Sequence, residues 1–245
     1  MSTYLIIGAS SDIALAYLRH MEEKKEPCIT VCQYYRHSDT LLEMKKHFQF
    51  VEIKPIKCDL SDGVQLELML NEIKEKGYEV DHILHAPAGR FASISLKKTE
   101  WDDISKEMNI EVRSFVEIMK AFLPNMAKKR FGKVVVLLSS CTIGVPPQTF
   151  TEYVTVKYAL LGAMRAVSSE YAGKGIQING VSPSMVETKL LDNLHEVFIE
   201  SNAKNSPMKK NLRPDDVVSA IDYLMDDDNR FVNSANINLS GGAVI

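Results

Sequence analysis

The chain has 245 residues, 45% of them hydrophobic, and a formal net charge of -3 at pH 7. That composition supports a sizeable core in one domain and excludes a disordered or collagen-like chain. The balance of 29 basic against 32 acidic side chains gives no global attraction to nucleic acid or anionic lipid. Cys28, Cys32, Cys58 and Cys141 are too sparse for a disulfide scaffold and lack neighbouring soft ligands for zinc, so they read as packing residues. The opening run does not read as a secretory signal, and the longest purely apolar run, 134–138, is far short of a membrane span. A soluble, reducing, cytoplasmic setting is expected.

In chain order, short β-branched runs alternate with amphipathic stretches. Residues 4–7 predict a strand ending at Gly8, and 10–23 a helix with Ile13, Ala14, Tyr17, Leu18 and Met21 on one side. A second strand follows at 29–32, with Cys28 and Cys32 on one face, then a helix at 39–48 and a strand over 51–56. The stretch 64–76 predicts a helix stopped by Gly77, and 81–85 a fourth strand. A long helix is expected over 101–126, its inner stripe formed by Ile104, Met108, Val112, Phe115, Met119 and Leu123. The nearly unbroken apolar run 133–138 predicts a central strand buried on both faces. Helices at 153–171 and 214–225 and strands at 176–181 and 237–239 complete the pattern. Such alternation means a parallel sheet covered on both faces, α/β and doubly wound, in a single domain spanning 1–245. The irregular region 187–212 follows the sixth strand, at the ligand-facing end of the sheet, and reads as a substrate lid.

Three constellations carry chemistry. Gly8-Ala9-Ser10-Ser11-Asp12-Ile13-Ala14 sits between a strand and a helix, where a glycine turn and a helix N-terminus suit a pyrophosphate. Tyr153 and Lys157 are four apart, which puts a phenol and an ammonium one helical turn apart on one face. Ser140 lies thirteen residues before Tyr153, just beyond the buried strand, and Asn109 lies in the preceding long helix.

These motifs, in this order, resemble the short-chain dehydrogenase/reductase family, including its 3-oxoacyl-[acyl-carrier-protein] reductase-like members, over essentially the whole chain. The resemblance implies a Rossmann fold with a seven-stranded sheet. It also implies hydride transfer between a nicotinamide cofactor and a carbonyl or secondary alcohol. Tyr153 would exchange the proton, Ser140 would hold the substrate oxygen, Lys157 would bind the nicotinamide ribose and depress the phenol, and Asn109 would hold a water linking Lys157 to solvent. Ser139, by strand alternation, reads as the bystander. The resemblance also assigns cofactor contacts to Gly8, Ser10, Ser11, Asp12, Ile13, Asp59, Leu60, Ala86, Pro87, Ala88, Pro183, Val186 and Thr188. It implies a homodimer or homotetramer formed through helices 101–126 and 153–171.

The chain departs from the family pattern at several places. Asp12 and Ala14 replace glycines of the first turn; Asp12 either caps the helix or faces the phosphates. His85, Ala88 and Ser184 replace an Asn and two glycines, and His85 reads as a hydrogen-bonded structural residue. Such changes keep open an alternative, a catalytically degenerate nucleotide-binding or structural relative. The tip of the second strand lacks an early acid, whereas Arg36 and Ser38 suit a 2'-phosphate, so NADP(H) is expected rather than NAD. The substrate is a small carbonyl or alcohol, free or carrier-bound. Its pocket is expected along 141–150, after Gly89 and under the lid, with Pro146, Pro147 and Phe150 giving an apolar wall.

Overall fold

The computed structural model describes residues 1–89 and 91–244. Seven parallel strands form one sheet in the order β3-β2-β1-β4-β5-β6-β7. They are β1 (Ser2–Ile7), β2 (Cys28–Tyr34), β3 (Val51–Lys57), β4 (His82–His85), β5 (Gly132–Leu137), β6 (Ile176–Pro183) and β7 (Asn236–Leu239). The order reverses between β1 and β4, the crevice where doubly wound sheets bind ligands.

Helices cover both faces, so the central strands β1, β4, β5 and β6 are largely buried on both sides, while the edge strand β3 alternates buried and exposed residues. On one face α1 (Asp12–Lys24), α2 (Asp39–His47) and α8 (Pro214–Met225) pack over a core that includes Leu18, Leu41, Val135, Val181 and Ile221. On the other, α3 (Gly63–Glu75), α5 (Ser114–Lys129) and α6 (Thr151–Tyr171) enclose Ile73, Phe115, Val134, Val136, Leu160 and Met164. Cys28 and Cys32 share the first of these cores, and all four cysteines are free and buried. At the far end of the sheet from the crevice, buried His82 stacks on Tyr4 and bridges Asp81 (2.7 Å) and Asp227 (2.9 Å), clasping β4 to the segment after α8.

The helix expected over 101–126 is broken. It consists of α4 (Trp101–Met108), a π-helical segment Asn109–Arg113, and α5. The wider turn inserts an extra residue, which rotates the inner face. Glu107 of α4 and Glu111 of the π-helical segment stand on the buried side, while Met108 and Val112, assigned there by periodicity, are half-buried.

The region 187–212 holds a 3-10 turn (Lys189–Leu191) and α7 (Glu196–Asn205). Its ends are pinned together: Val186 bridges Leu212, Glu187 N donates to Leu212 O (2.9 Å) and Leu212 N donates to Met185 O (3.0 Å). Among the described residues, no helix is long and apolar enough to cross a membrane, and no group of three or more His, Cys, Asp or Glu is placed to hold a metal ion.

Candidate active site

The sheet register aligns the site. Ile7 pairs with His85, His85 with Val136, and Val136 with Gly180, so the strand exits at Gly8, Ala86, Leu137 and Val181 lie in one row. Gly8 turns the chain at φ 73°. Its N–H donates to Gln33 Oε1 (2.8 Å), and Gln33 Nε2 donates to Cys58 O (2.8 Å). Buried Gln33 thus locks the first turn to the exits of β2 and β3. It lies one residue past the strand predicted over 29–32 and inside the observed β2, and its polarity among Val31, Cys32 and Tyr34 was the signal that could have exposed it.

Ser11 caps α1, its Oγ accepting from Ala14 N at 3.3 Å. Asp12 neither caps the helix nor is spent on the first turn. Its Oδ2 accepts the backbone N–H of Lys189 (2.8 Å), joining the glycine turn to the start of the 187–212 segment. An open cleft of about 520 Å³, lined by Asp12, Thr188, Lys189, Leu191 and Ile199, lies along this junction. Asp12→Ala is expected to free the Lys189 amide at a cost of about 1 kcal/mol, the worth of an exposed charge-assisted bond. Hydrogen exchange at Lys189 checks this; unchanged protection would mean that the contact holds nothing.

On α6 the residues Lys157, Leu161, Met164 and Ser168 form one stripe facing the core, so the helix carries an ammonium where packing calls for an apolar side chain. Lys157 is satisfied there by two partners. Its Nζ donates to Leu137 O at the end of β5 (3.1 Å) and pairs with Glu111 Oε2 (2.7 Å); both charged side chains are only 3% exposed. An ammonium has three N–H groups, which leaves one for a ligand. Burial pulls the Lys157 pKa down, but the Glu111 carboxylate outweighs it and holds the group above its ordinary value.

One turn back, Tyr153 packs edge-on against Phe91 (4.7 Å between ring centres), and Lys157 Nζ lies 5.6 Å from its ring centre. Burial raises the phenol, Lys157 and the Ser139 hydroxyl lower it, and Cys141 and Glu111 raise it, with a net upward shift. His85, directly behind, donates from Nε2 to the Glu111 carbonyl (2.9 Å). Burial pushes its pKa down to about 3, so it is neutral, as a structural role requires.

Two further residues, Ser139 and Glu111, take part in the site. The Ser139 hydroxyl acts on the Tyr153 phenol; Ser139 continues the extended chain of β5 (φ -158°, ψ 148°), and its Oγ also accepts from Cys141 N (3.3 Å). Ser140 instead opens the 3-10 turn Ser140–Thr142, its carbonyl accepting from Ile143 N (3.0 Å). Glu111, on the π-helical segment, is the carboxylate paired with Lys157.

The remaining expected residues lie at or just beyond the C-terminal ends of β2, β3, β4 and β6. Arg36 is exposed beyond β2 with its guanidinium 4.9 Å from the Tyr35 ring centre, and Ser38 precedes α2. Asp59 Oδ1 turns back to Ser61 N (2.9 Å) and Oγ (2.6 Å) beside buried Leu60. Ala86 is buried behind the Gly8 turn, followed by Pro87 and Ala88. Pro183 ends β6, buried Val186 follows, and Thr188 Oγ1 donates to Val186 O (3.3 Å). Of the wall expected after Gly89, Arg90 lies outside the described residues. Phe91 stacks on Phe150 (4.8 Å), which meets Phe198 of α7 at 5.9 Å, so an aromatic face runs from Tyr153 to the 187–212 segment. Val145 is almost fully exposed and Pro146 and Pro147 are exposed, outside this face.

The residues present fit a nicotinamide dinucleotide. A glycine turn, the unpaired first-turn amides of a helix and an ammonium with a spare donor converge on one row of strand exits.

Comparison with known proteins agrees. The family model described as Enoyl-(Acyl carrier protein) reductase matches residues 8–244. Meso-2,3-butanediol dehydrogenase of Serratia marcescens is 29% identical over 188 residues, covering 77% of this chain and 74% of its own length. The 3-oxoacyl-[acyl-carrier-protein] reductase FabG of Thermotoga maritima is 26% identical over 197 residues, covering 79% and 78%. The solved structure of ElxO with NADP bound superposes with a TM-score of 0.86 at 22% identity, covering 99% of this chain and 98% of that one. The chain therefore belongs to the Enoyl-(Acyl carrier protein) reductase family within the short-chain dehydrogenase/reductases and is an NAD(P)(H)-dependent oxidoreductase that moves a hydride between nicotinamide and a carbonyl or secondary alcohol.

Proposed function

We propose that the chain uses NADP(H) to interconvert a small carbonyl compound and its secondary alcohol, with Tyr153, Ser139 and Lys157 as the working groups. The observation that carries this reading is the convergence of a phenol, a hydroxyl and a buried ammonium at the exit of β5, in the same row as the Gly8 turn. When bound, the dinucleotide supplies or accepts the hydride at the substrate carbon. Tyr153 gives its proton to the carbonyl oxygen or takes it from the alcohol. Ser139 donates a hydrogen bond that fixes the same oxygen. Lys157 uses its spare N–H for the nicotinamide ribose, and its charge favours the phenolate.

Arg36 and Ser38, at the edge of the adenosine end, are the groups for a 2'-phosphate, and the lack of an acid at the end of β2 supports NADP(H). The segment 187–212 serves as the lid, held to the phosphate turn by Asp12. The aromatic face of Phe91, Phe150 and Phe198 favours a substrate with an apolar or flat group beside its carbonyl. Exposed Trp101 on α4, Val116 on α5 and Tyr158 on α6 support assembly into a homodimer or homotetramer through these helices.

The test compares two adjacent serines in NADPH oxidation with a panel of diketones and aryl ketones. Ser139→Ala is expected to lower kcat by about 10–1000-fold with cofactor affinity intact, as for loss of one oxyanion donor. Ser140→Ala is expected to change kcat by less than about threefold, since the phenol is met by Ser139. The reverse ranking would overturn the assignment of Ser139, and wild-type protein inert toward the whole panel would overturn the substrate class.

A further inference from the structure

The Lys157–Glu111 pair has no counterpart among the roles assigned above. Lys157 stands on a core-facing stripe and Glu111 on a π-helical turn, so two different backbone features were needed to bring an ammonium and a carboxylate to 2.7 Å in a nearly dry place. A buried charge pair is costly to form and is weak evidence for stability in its own right. Its position, directly behind the proton-exchanging phenol, gives it a different use.

We propose that Glu111 is a positioning residue that, through Lys157, keeps Tyr153 in its proton-donating form near neutral pH and so biases the site toward carbonyl reduction. The proposal rests on the reading of Tyr153 and Lys157 given above. An isolated ammonium beside a phenol favours loss of the phenolic proton. A carboxylate in contact with that ammonium offsets most of its field at the phenol while holding the side chain in place for the ribose. Glu111 accordingly works on the phenol in the direction opposite to Lys157.

Among the described residues, Cys141, His85 and Ser139 also face this line. Cys141, from the turn after β5, stands near both Tyr153 and Lys157, and burial holds its thiol above the ordinary value. His85, from β4, faces Lys157 and the Glu111 backbone and is neutral. The Ser139 hydroxyl completes the ring. Glu111 is the carboxylate in contact with Lys157, and it acts on both Lys157 and Tyr153.

In reduction, a hydride reaches the carbonyl carbon as the Tyr153 O–H bond breaks and its proton moves to the carbonyl oxygen. The products are the alcohol, the oxidised cofactor and a phenolate that regains a proton from solvent. Reduction therefore needs the phenol and fails as pH rises through its ionisation. Oxidation needs the phenolate and begins there.

The test is the pH profile of kcat/KM for NADPH-dependent reduction of 2,3-butanedione by wild type, Glu111→Gln and Glu111→Asp. Glu111→Gln is expected to move the alkaline fall of reduction down by about one pH unit, the effect of removing one charge a few ångströms away at protein-like dielectric. Its oxidation of the corresponding alcohol should rise relative to reduction at neutral pH. Glu111→Asp keeps the charge and should keep the wild-type midpoint even if kcat falls. A lower rate at every pH with an unmoved midpoint, or a midpoint moved upward, would overturn the proposal and leave Glu111 a structural residue.

The phenolate absorbance of each form, taken as its difference from the same form carrying Tyr153→Phe, reads the same ionisation without turnover. A wild-type protein that reduces nothing would count against the catalytic reading. The absorbance midpoint, moved down by Glu111→Gln or not, would still decide the role of Glu111.

Discussion

Tyr153→Phe is expected to lower turnover by about 10²–10⁴-fold, the usual worth of a positioned general acid, while NADPH affinity changes by no more than a few-fold. The variant keeps the ring that packs edge-on to Phe91 at 4.7 Å and removes only the oxygen facing Ser139. Packing in α6 is then conserved, and Lys157 keeps its bonds to Leu137 O and Glu111. The loss should therefore fall on kcat, because the phenolic proton moves in the transition state and contributes little to ground-state binding. Steady-state kinetics together with nicotinamide fluorescence titration separate the two quantities. Full activity in the variant would remove Tyr153 from the chemistry. Loss of activity together with loss of cofactor binding would make the hydroxyl a binding group instead. The same measurement addresses the alternative of a degenerate relative, for which the wild type would bind cofactor and show no turnover to lose.

The fold was legible because its signals are local and repeated. Nearly unbroken apolar runs such as 133–138, short and β-branched, read as strands covered on both sides, and Pro214 at the start of a helix with Asp216 three residues into it marks that helix's entry. The pair Tyr153 and Lys157 was legible for the same reason, since a straight helix makes a spacing of four a statement about space. Ser139 and Glu111 were not. Each lies where regular periodicity fails: one is separated from Tyr153 by an irregular loop, the other sits on a turn wound with an extra residue. In both cases a one- or two-residue offset in sequence changes which side chain enters the site. The contact between Asp12 and Lys189 spans 177 positions and involves a backbone amide, so no residue pattern announces it. Lys157, four residues before Leu161 on the inner stripe of its helix, breaks the apolar pattern in a way that marks a buried charge in advance of any structure.

Gly8→Ala is the substitution expected to cost the fold and the cofactor together. An alanine there must hold φ near 73°, which costs a residue with a Cβ about 1–2 kcal/mol. The added carbon would also stand 2.6 Å from Ala86 O and 2.8 Å from Pro87 Cα, both of them backbone atoms that cannot rotate away. The exits of β1 and β4 would have to separate, bringing the total to about 3 kcal/mol. For a chain of this size that corresponds to a fall in Tm of about 6–12 °C. The same separation pulls Gly8 N from Gln33 Oε1 and shifts the first amides of α1, so NADPH affinity should drop by at least about tenfold. Gly77→Ala supplies the control. Its φ is 71° with nothing within 4 Å of the added carbon, so it pays the backbone strain alone, and cofactor affinity should not move. Equal losses of Tm in the two variants would show that the left-handed backbone, rather than the contact with Ala86, is what only glycine can supply at position 8. A Gly8→Ala protein that melts early yet binds NADPH as tightly as wild type would mean that the first turn does not carry the pyrophosphate.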